Sequence, residues 1–185
     1  MSTKEVSPMC DNGVLVSDFD GTLAWLSLTG RTHQWLSRHR SGLILLIPFL
    51  PLIWVGYLLR PPIRSAKEVI LRHKERGGRV VVFSSTEDLA ATRFIIWSWL
   101  KAWQVPCDRL VLRPNEEVIE DFKAGVLMEE GCLVLLENEA LIVAELIGRM
   151  LISGFRNISV TNRKRYYTVC FQKGGGVALI AGQDR

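Results

Sequence analysis

Four short apolar segments, each ending abruptly in a polar tip, constrain this chain more than any other feature. VLVS (14–17) runs into DFDGT, RVVVFSS (79–85) into Thr86, RLVLR (109–113) leads on towards Lys123, and CLVLL (132–136) ends in Glu137-Asn138-Glu139. Unbroken Val/Leu runs of this length mark strands buried on both faces, as in a parallel sheet. Segments with helical spacing separate them. Over 63–76, Ala66, Val69, Ile70 and His73 share one face and Gly77-Gly78 stops the helix. Further helices are predicted over 87–103, 116–128 and 139–151. Strands alternating with helices predict a three-layer α/β domain, a parallel sheet covered on both faces. NISV (157–160) adds a strand, and RYYTVCFQ and VALIAG flank a Gly-rich turn at 173–176, predicting a C-terminal β-hairpin. Neither a repeat nor a linker interrupts residues 1–185, so a single domain is expected, with 24–78 inserted between its first two strands.

In such sheets ligands bind beyond the carboxyl ends of the strands, which is where the polar tips fall. Two carboxylates two residues apart on an extended tip can bind a hard cation and still do different jobs. Asp18 is placed to attack phosphorus and form an aspartyl-phosphate; Asp20 can protonate the leaving oxygen and then deprotonate water. Gly21 permits the tight turn that lets backbone amides approach a phosphate, with Thr22 beside it and Ser84-Ser85-Thr86 on the neighbouring tip. Ordinary structural roles compete at several positions: Ser84 as a helix N-cap, Lys123 as a solvated helix residue, Glu137 as a capping group, and Trp97, Trp99 and Trp103 as packing. His33, His39 and His73 are expected on solvated faces.

DFDGT after VLVS resembles motif I of the haloacid dehalogenase superfamily, whose members are mostly magnesium-dependent phosphatases, and the resemblance continues in order over about residues 14–147. VVVFSST puts Ser84 at the motif II position, where a hydroxyl hydrogen-bonds a phosphoryl oxygen. RLVLRPNEEVIEDFKAGVL resembles the segment carrying the motif III lysine, giving Lys123, a cation that offsets charge on the aspartate and phosphoryl group. VLLENEALIVAEL falls where motif IV belongs, with Glu137-Asn138-Glu139 standing where the family usually has Asp. The resemblance implies a Rossmann-like sheet, a Mg²⁺ ion held by Asp18, Asp20, Glu137 and Asn138, catalysis by Asp18, Asp20, Ser84 and Lys123, and substrate contacts from Gly21, Thr22 and Ser85.

The formal charge of +4 hides an asymmetry. Residues 1–30 carry −3, residues 31–79 carry +8 and residues 80–185 carry −1. The basic stretch brackets Leu43–Leu59, 17 residues without a charge, at the lower limit for crossing a bilayer. A single crossing would part Asp18 from Ser84, and Pro48 and Pro51 break a helix near its middle. A re-entrant or interfacial hairpin remains, with Trp35, Trp54 and Tyr57 as an interfacial belt. Arg31, Arg38 and Arg40 before it, and Arg60, Arg64, Lys67 and Arg72 after it, would face anionic headgroups; a buried cap or a dimer interface is the competing reading. The run LILLIPFLPLIWVGYLLRPP resembles the membrane-inserted segment of phosphatidylglycerophosphatase C-like enzymes, which implies a lipid phosphate as substrate.

Cys10, Cys107, Cys132 and Cys170 lie far apart, with neither metal-ligand nor disulfide-framework spacing. The N-terminal MSTKEVSPMCDNG contains no apolar signal core. The expected protein is cytoplasm-facing, peripheral or monotopic on the inner face of a membrane. Its expected activity is Mg²⁺-dependent hydrolysis of a phosphate monoester, on a phosphorylated small molecule or phospholipid. The alternatives are a soluble phosphatase acting on nucleotides or nucleic-acid ends, nucleic acid being the less favoured partner, and a catalytically degenerate member that binds a phosphorylated ligand or a membrane.

Overall fold

The computed structural model describes residues 13–24, 50–114, 117–163, 165–173 and 180–183. The predicted strands appear as β1 (Val14–Asp18), β2 (Arg79–Glu87), β3 (Arg109–Arg113) and β4 (Cys132–Glu137), followed by β5 (Phe155–Asn162), β6 (Tyr167–Lys173) and β7 (Ile180–Gln183). The helices are α1 (Leu50–Leu58), α2 (Arg64–Glu75), α3 (Ala90–Ala102), α4 (Ile119–Glu130) and α5 (Ala140–Ile152). The strands form one sheet in the order β3-β2-β1-β4-β6-β5-β7. Within it β1 pairs parallel with β2 and β4, and β2 parallel with β3.

Strand alternation divides the core. Leu15, Val80 and Val82 face one side, where Ile70 of α2 and Ile96, Trp99 and Leu100 of α3 pack with Phe19 and Tyr57. Val16, Val81 and Phe83 face the other, against Phe122 and Leu127 of α4 and Val143, Leu146 and Met150 of α5. The mixed α/β arrangement with helices on both faces comes directly from these two apolar sets.

Two expectations are corrected. The sheet is not wholly parallel, because β6 runs antiparallel to both β4 and β5. The C-terminal hairpin across residues 173–176 does not form either: with both edges of β6 occupied, β7 adds in parallel to the outer edge of β5. The hairpin is instead β5–β6. Helix starts also shift. α3 begins at Ala90 rather than 87 because β2 continues to Glu87, where the Asp88 amide donates to the Arg113 carbonyl (2.9 Å) and Arg113 Nε to the Ser85 carbonyl (2.8 Å).

Of the inserted segment 24–78, residues 25–49 lie outside the described residues, and with them the first part of the apolar run, Pro48, His33, His39, Trp35 and the leading arginines. From α1 onward the insertion is tied to the sheet. Trp99 Nε1 donates to the Arg60 carbonyl and Trp103 Nε1 to the Leu58 carbonyl, both at 2.8 Å. Lys67 Nζ donates to the Trp103 carbonyl at 2.6 Å. α2 contributes Ala66 and Ile70 to the same core as β1 and β2. No described helix is long and apolar enough to cross a membrane; α1 has nine residues, about 14 Å at ~1.5 Å per residue.

His73 is not on a solvated face. It is 2% exposed, and its Nε2 lies 3.0 Å from the Gly13 carbonyl. Gly78 makes room for the ring: a Cβ there would lie 2.2 Å from His73 Nε2. Gly78→Ala is therefore expected to lower the unfolding free energy by about 1–3 kcal/mol, the usual range for overpacking. Urea denaturation of Gly78→Ala alone and combined with His73→Ala checks this; the second change should recover part of the loss.

Candidate active site

The β1, β2 and β4 tips meet at the carboxyl edge of the sheet because the strands run parallel in close register. Val16 lies opposite Val81 and Leu135, and Asp18 opposite Phe83. Asp18, 3% exposed, ends β1; Ser84, buried, succeeds Phe83 on β2; Glu137, buried, ends β4. Lys123, one turn into α4 and 2% exposed, reaches over the Phe83 ring, with Nζ 5.1 Å from its centroid. Its ammonium lies 3.3 Å from Asp18 Oδ1 and 2.6 Å from Glu137 Oε2. Lys123 is thus no solvated helix residue, and Ser84 caps no helix, since α3 starts beyond Leu89.

One buried ammonium serves two buried carboxylates. Removing each ion from water costs several kcal/mol, whereas a pair at ~4 Å recovers about 4 kcal/mol at an effective dielectric near 20. Asp18 is left under-compensated: burial and then the Glu137 charge push its carboxyl well above the usual range, and Lys123 only partly opposes them. Burial raises Glu137 as well, against Lys123 and the loop amides. Glu137 Oε1 accepts from the backbone amides of Asn138 (3.0 Å) and Glu139 (3.3 Å). It therefore combines the capping role with an ion pair. For Lys123 burial works against the charged form, but the two carboxylates outweigh it and hold the ammonium protonated well beyond its normal range.

Asp20 sits in a second cluster. Its Oδ1 accepts from Arg60 Nη2 at 2.9 Å and Tyr57 OH at 3.3 Å, while Ser84 Oγ lies 3.4 Å from Oδ2. Arg60 is 2% exposed, with its guanidinium carbon 4.5 Å from the Tyr57 ring centroid. Burial and the Asp20 charge raise the Tyr57 phenol above its ordinary range. These contacts overturn part of the headgroup reading: Arg60 and Tyr57 turn inward onto Asp20, and Lys67 turns inward onto Trp103. Sequence spacing carries no signal for this, since Tyr57 and Arg60 lie 37 and 40 residues from Asp20.

Gly21 has φ +83°, and a Cβ on it would lie 2.7 Å from the Asn138 amide, so glycine is required for both backbone and space. The Asn138 amide packs here with one side-chain atom 2.9 Å from Thr22 Oγ1, 3.0 Å from the Asp20 carbonyl and 3.3 Å from Glu137 Oε1. With nitrogen there, the two amide hydrogens are shared among these three acceptors. Turned over, its oxygen accepts from Thr22 Oγ1 but faces the Asp20 carbonyl and Glu137 Oε1 with no hydrogen to give. Ser85 lies on the opposite face of β2 from Ser84, half-buried, and its carbonyl takes the Arg113 bond. The structure therefore brings together Asp18, Lys123 and Glu137; Asp20 and Ser84; and Gly21, Thr22 and Asn138. Among the described residues no three His, Cys, Asp or Glu groups are placed to hold a metal ion by themselves. Cys107, its thiol pushed up to about 11 by burial, donates to the Arg109 carbonyl at 3.1 Å.

No family model and no curated protein matches the chain. Among solved structures, a chain of "Structure of Pnkp1/Rnl/Hen1 complex" is similar at a TM-score of 0.47 and 16% identity, over 70% of this chain. The matched part covers 40% of that chain's length.

Because folding raises the Asp18 carboxyl, folding favours its protonated form. That stabilising contribution is full below the unfolded value near ~3.9 and is lost as pH rises through the folded value. Asp18→Asn, a neutral shape mimic, should then be more stable than the parent at pH 8 by about 0.5–2 kcal/mol. The advantage should shrink as the pH is lowered to 5. Paired urea titrations measure it; an advantage that is absent at pH 8 or grows on acidification would contradict the charge balance.

Proposed function

We propose that the chain is a phosphatase of the haloacid dehalogenase type, with a Rossmann-like sheet, that hydrolyses a phosphate monoester through an aspartyl-phosphate on Asp18. The observation that carries this reading is the Asp18–Lys123–Glu137 cluster at the carboxyl edge of the sheet, with Asp20 and Ser84 beside it. Phosphoryl transfer needs little beyond a positioned nucleophile and fixed charge around the moving group. An Asp18 carboxylate oxygen bonds to phosphorus as the ester P–O bond breaks, and Asp20 gives its proton to the leaving oxygen. Water then attacks phosphorus and passes a proton to Asp20, releasing phosphate and the Asp18 carboxylate. Lys123 remains charged throughout and offsets the negative charge that accumulates on Asp18 and the phosphoryl oxygens. Ser84 Oγ would donate to one of those oxygens, exchanging its bond to Asp20 for the substrate, and Gly21 and Thr22 would shape the turn beside them.

A Mg²⁺ ion suits the donor chemistry here. Hard divalent cations take carboxylate, carbonyl and amide oxygens of the kind gathered at these strand tips. Asp18, the Asp20 carbonyl, Glu137 and Asn138 would hold it. The Asp20 carboxylate belongs to Arg60 and Tyr57, which departs from the set expected from sequence. Bound there, Mg²⁺ would supply charge stabilisation to the phosphoryl group.

For the substrate we infer a membrane-associated phosphate ester. Val55 (46% exposed) and Leu59 (70%) project from the α1 region, and Phe94 (62%), stacked on Trp54, extends the apolar surface onto α3. Arg64 and Arg72, unlike Arg60 and Lys67, stay exposed. The protein would work peripherally or monotopically on the cytoplasmic face.

Purified protein is expected to release phosphate from p-nitrophenyl phosphate with Mg²⁺ and to lose the activity on chelation. Asp18→Asn should lower the rate at least about 1,000-fold, as removal of a nucleophile does. Activity that survives Asp18→Asn would overturn the reading. Flotation with phosphatidylglycerol-containing liposomes should weaken for Val55→Ser/Leu59→Ser/Phe94→Ser; unchanged partitioning would reject the membrane assignment while leaving the chemistry standing.

A further inference from the structure

Asp20 is held by residues from outside its own motif, and both come from the C-terminal end of the apolar helix α1. Tyr57 lies in the last turn of α1 and Arg60 just beyond it, the Arg60 amide donating to the Tyr57 carbonyl at 3.2 Å. Their side chains converge on the same oxygen, Asp20 Oδ1, at 3.3 and 2.9 Å. The convergence is supported from behind: the Arg60 carbonyl accepts from Trp99 Nε1 at 2.8 Å, and Tyr57 stacks on Phe19 with 6.1 Å between ring centroids. Phe19 lies between Asp18 and Asp20 in sequence and is itself fully buried, edge-on to Trp99 at 5.0 Å. A charge-assisted bond from the buried Arg60 to the half-buried Asp20 fixes geometry more firmly than a neutral one. The result is a carboxylate with unlike oxygens. Oδ1 is committed to the insertion, while Oδ2 accepts from the Ser84 hydroxyl at 3.4 Å, a long bond that proton exchange can displace.

We propose that Arg60 and Tyr57 are positioning residues that make the apolar insertion part of the catalytic machinery: they clamp Oδ1 so that Oδ2 of Asp20 faces the leaving oxygen. The inference rests on the acid–base role proposed for Asp20. In the first half of the reaction the proton on Oδ2 moves to the ester oxygen as the P–O bond breaks and the Asp18–phosphorus bond forms. In the second, Oδ2 takes a proton from the attacking water. Neither Arg60 nor Tyr57 gives up a proton in either half.

Proton donation matters in proportion to how poor the leaving group is, which separates positioning from simple structural support. The test uses three substrates of similar size: p-nitrophenyl, phenyl and benzyl phosphate. Arg60→Met should lower kcat/KM on benzyl phosphate on the order of 100-fold, within the range for general acid–base catalysis. On p-nitrophenyl phosphate it should change kcat/KM by no more than about threefold, because kcat/KM reports formation of the aspartyl-phosphate and that leaving group needs little protonation. All losses and recoveries are read in kcat/KM, since hydrolysis of the intermediate is common to all three substrates. Tyr57→Phe, which removes one hydroxyl, should show the same ordering with a smaller spread, and Arg60→Lys should recover part of the benzyl phosphate rate. If Arg60→Met does not fold, Tyr57→Phe carries the comparison. A uniform loss on all three substrates, or no loss on benzyl phosphate, overturns the clamp while leaving the phosphatase reading intact. Absence of Asp18-dependent turnover in the parent protein overturns both.

Discussion

Lys123 is the hinge of the electrostatics. It is the cation between two carboxylates that the sheet buries side by side, and neither could remain charged in that setting without it. Removing this lysine would leave the carboxylates uncompensated, a loss that typically costs about 3–5 kcal/mol. Parallel pairing of β1 with β4 forces the proximity, since Asp18 and Glu137 are the last residues of adjacent strands. α4 answers from one face with a lysine whose ammonium lies over Phe83. The compensation is incomplete: burial and the neighbouring Glu137 disfavour the charged form of Asp18 more than Lys123 favours it, so further positive charge there is stabilising.

The described part of the inserted segment, 50–78, is tied closely into the domain. α2 packs into the sheet core, Trp99 and Trp103 bond back to the carbonyls of Arg60 and Leu58, and the side chains of Tyr57 and Arg60 finish at Asp20. α1 therefore has two faces with different tasks. Val55 and, just past its end, Leu59 point to solvent, and Tyr57 points to the site. A surface that engages the outer face of α1 would be within one helix diameter, roughly 10 Å, of the Asp20 carboxylate.

The strands, the order of their chemistry-bearing tips and most helices are legible in the sequence because they are written locally. Unbroken apolar runs with a polar end identify β1, β2 and β4, and the tip residues Asp18, Ser84 and Glu137 come from strand polarity alone. Lys123 is legible through its resemblance-based placement, although nothing in its neighbourhood shows that it is buried. Local pattern cannot show pairing over long separations. His73 reads as one more basic residue until Gly13, 60 residues away, supplies its carbonyl. Arg60 reads as half of a basic collar until the return of the chain sets it against Asp20. The placement of β7 depends on β6 already having two neighbours, which a Gly-rich turn beside it does not reveal.

The central claim is that Asp18 bonds covalently to phosphorus, and the most direct measurement is to catch it doing so. Protein mixed with p-nitrophenyl phosphate and Mg²⁺, quenched in acid within the first turnovers and digested, should yield a phosphoryl adduct on the peptide containing Asp18. The adduct should be absent from Asp18→Asn and should accumulate in Asp20→Asn, which forms the intermediate from an activated ester but hydrolyses it slowly. Turnover without any adduct, or an adduct on a residue outside the β1 tip, would contradict the account.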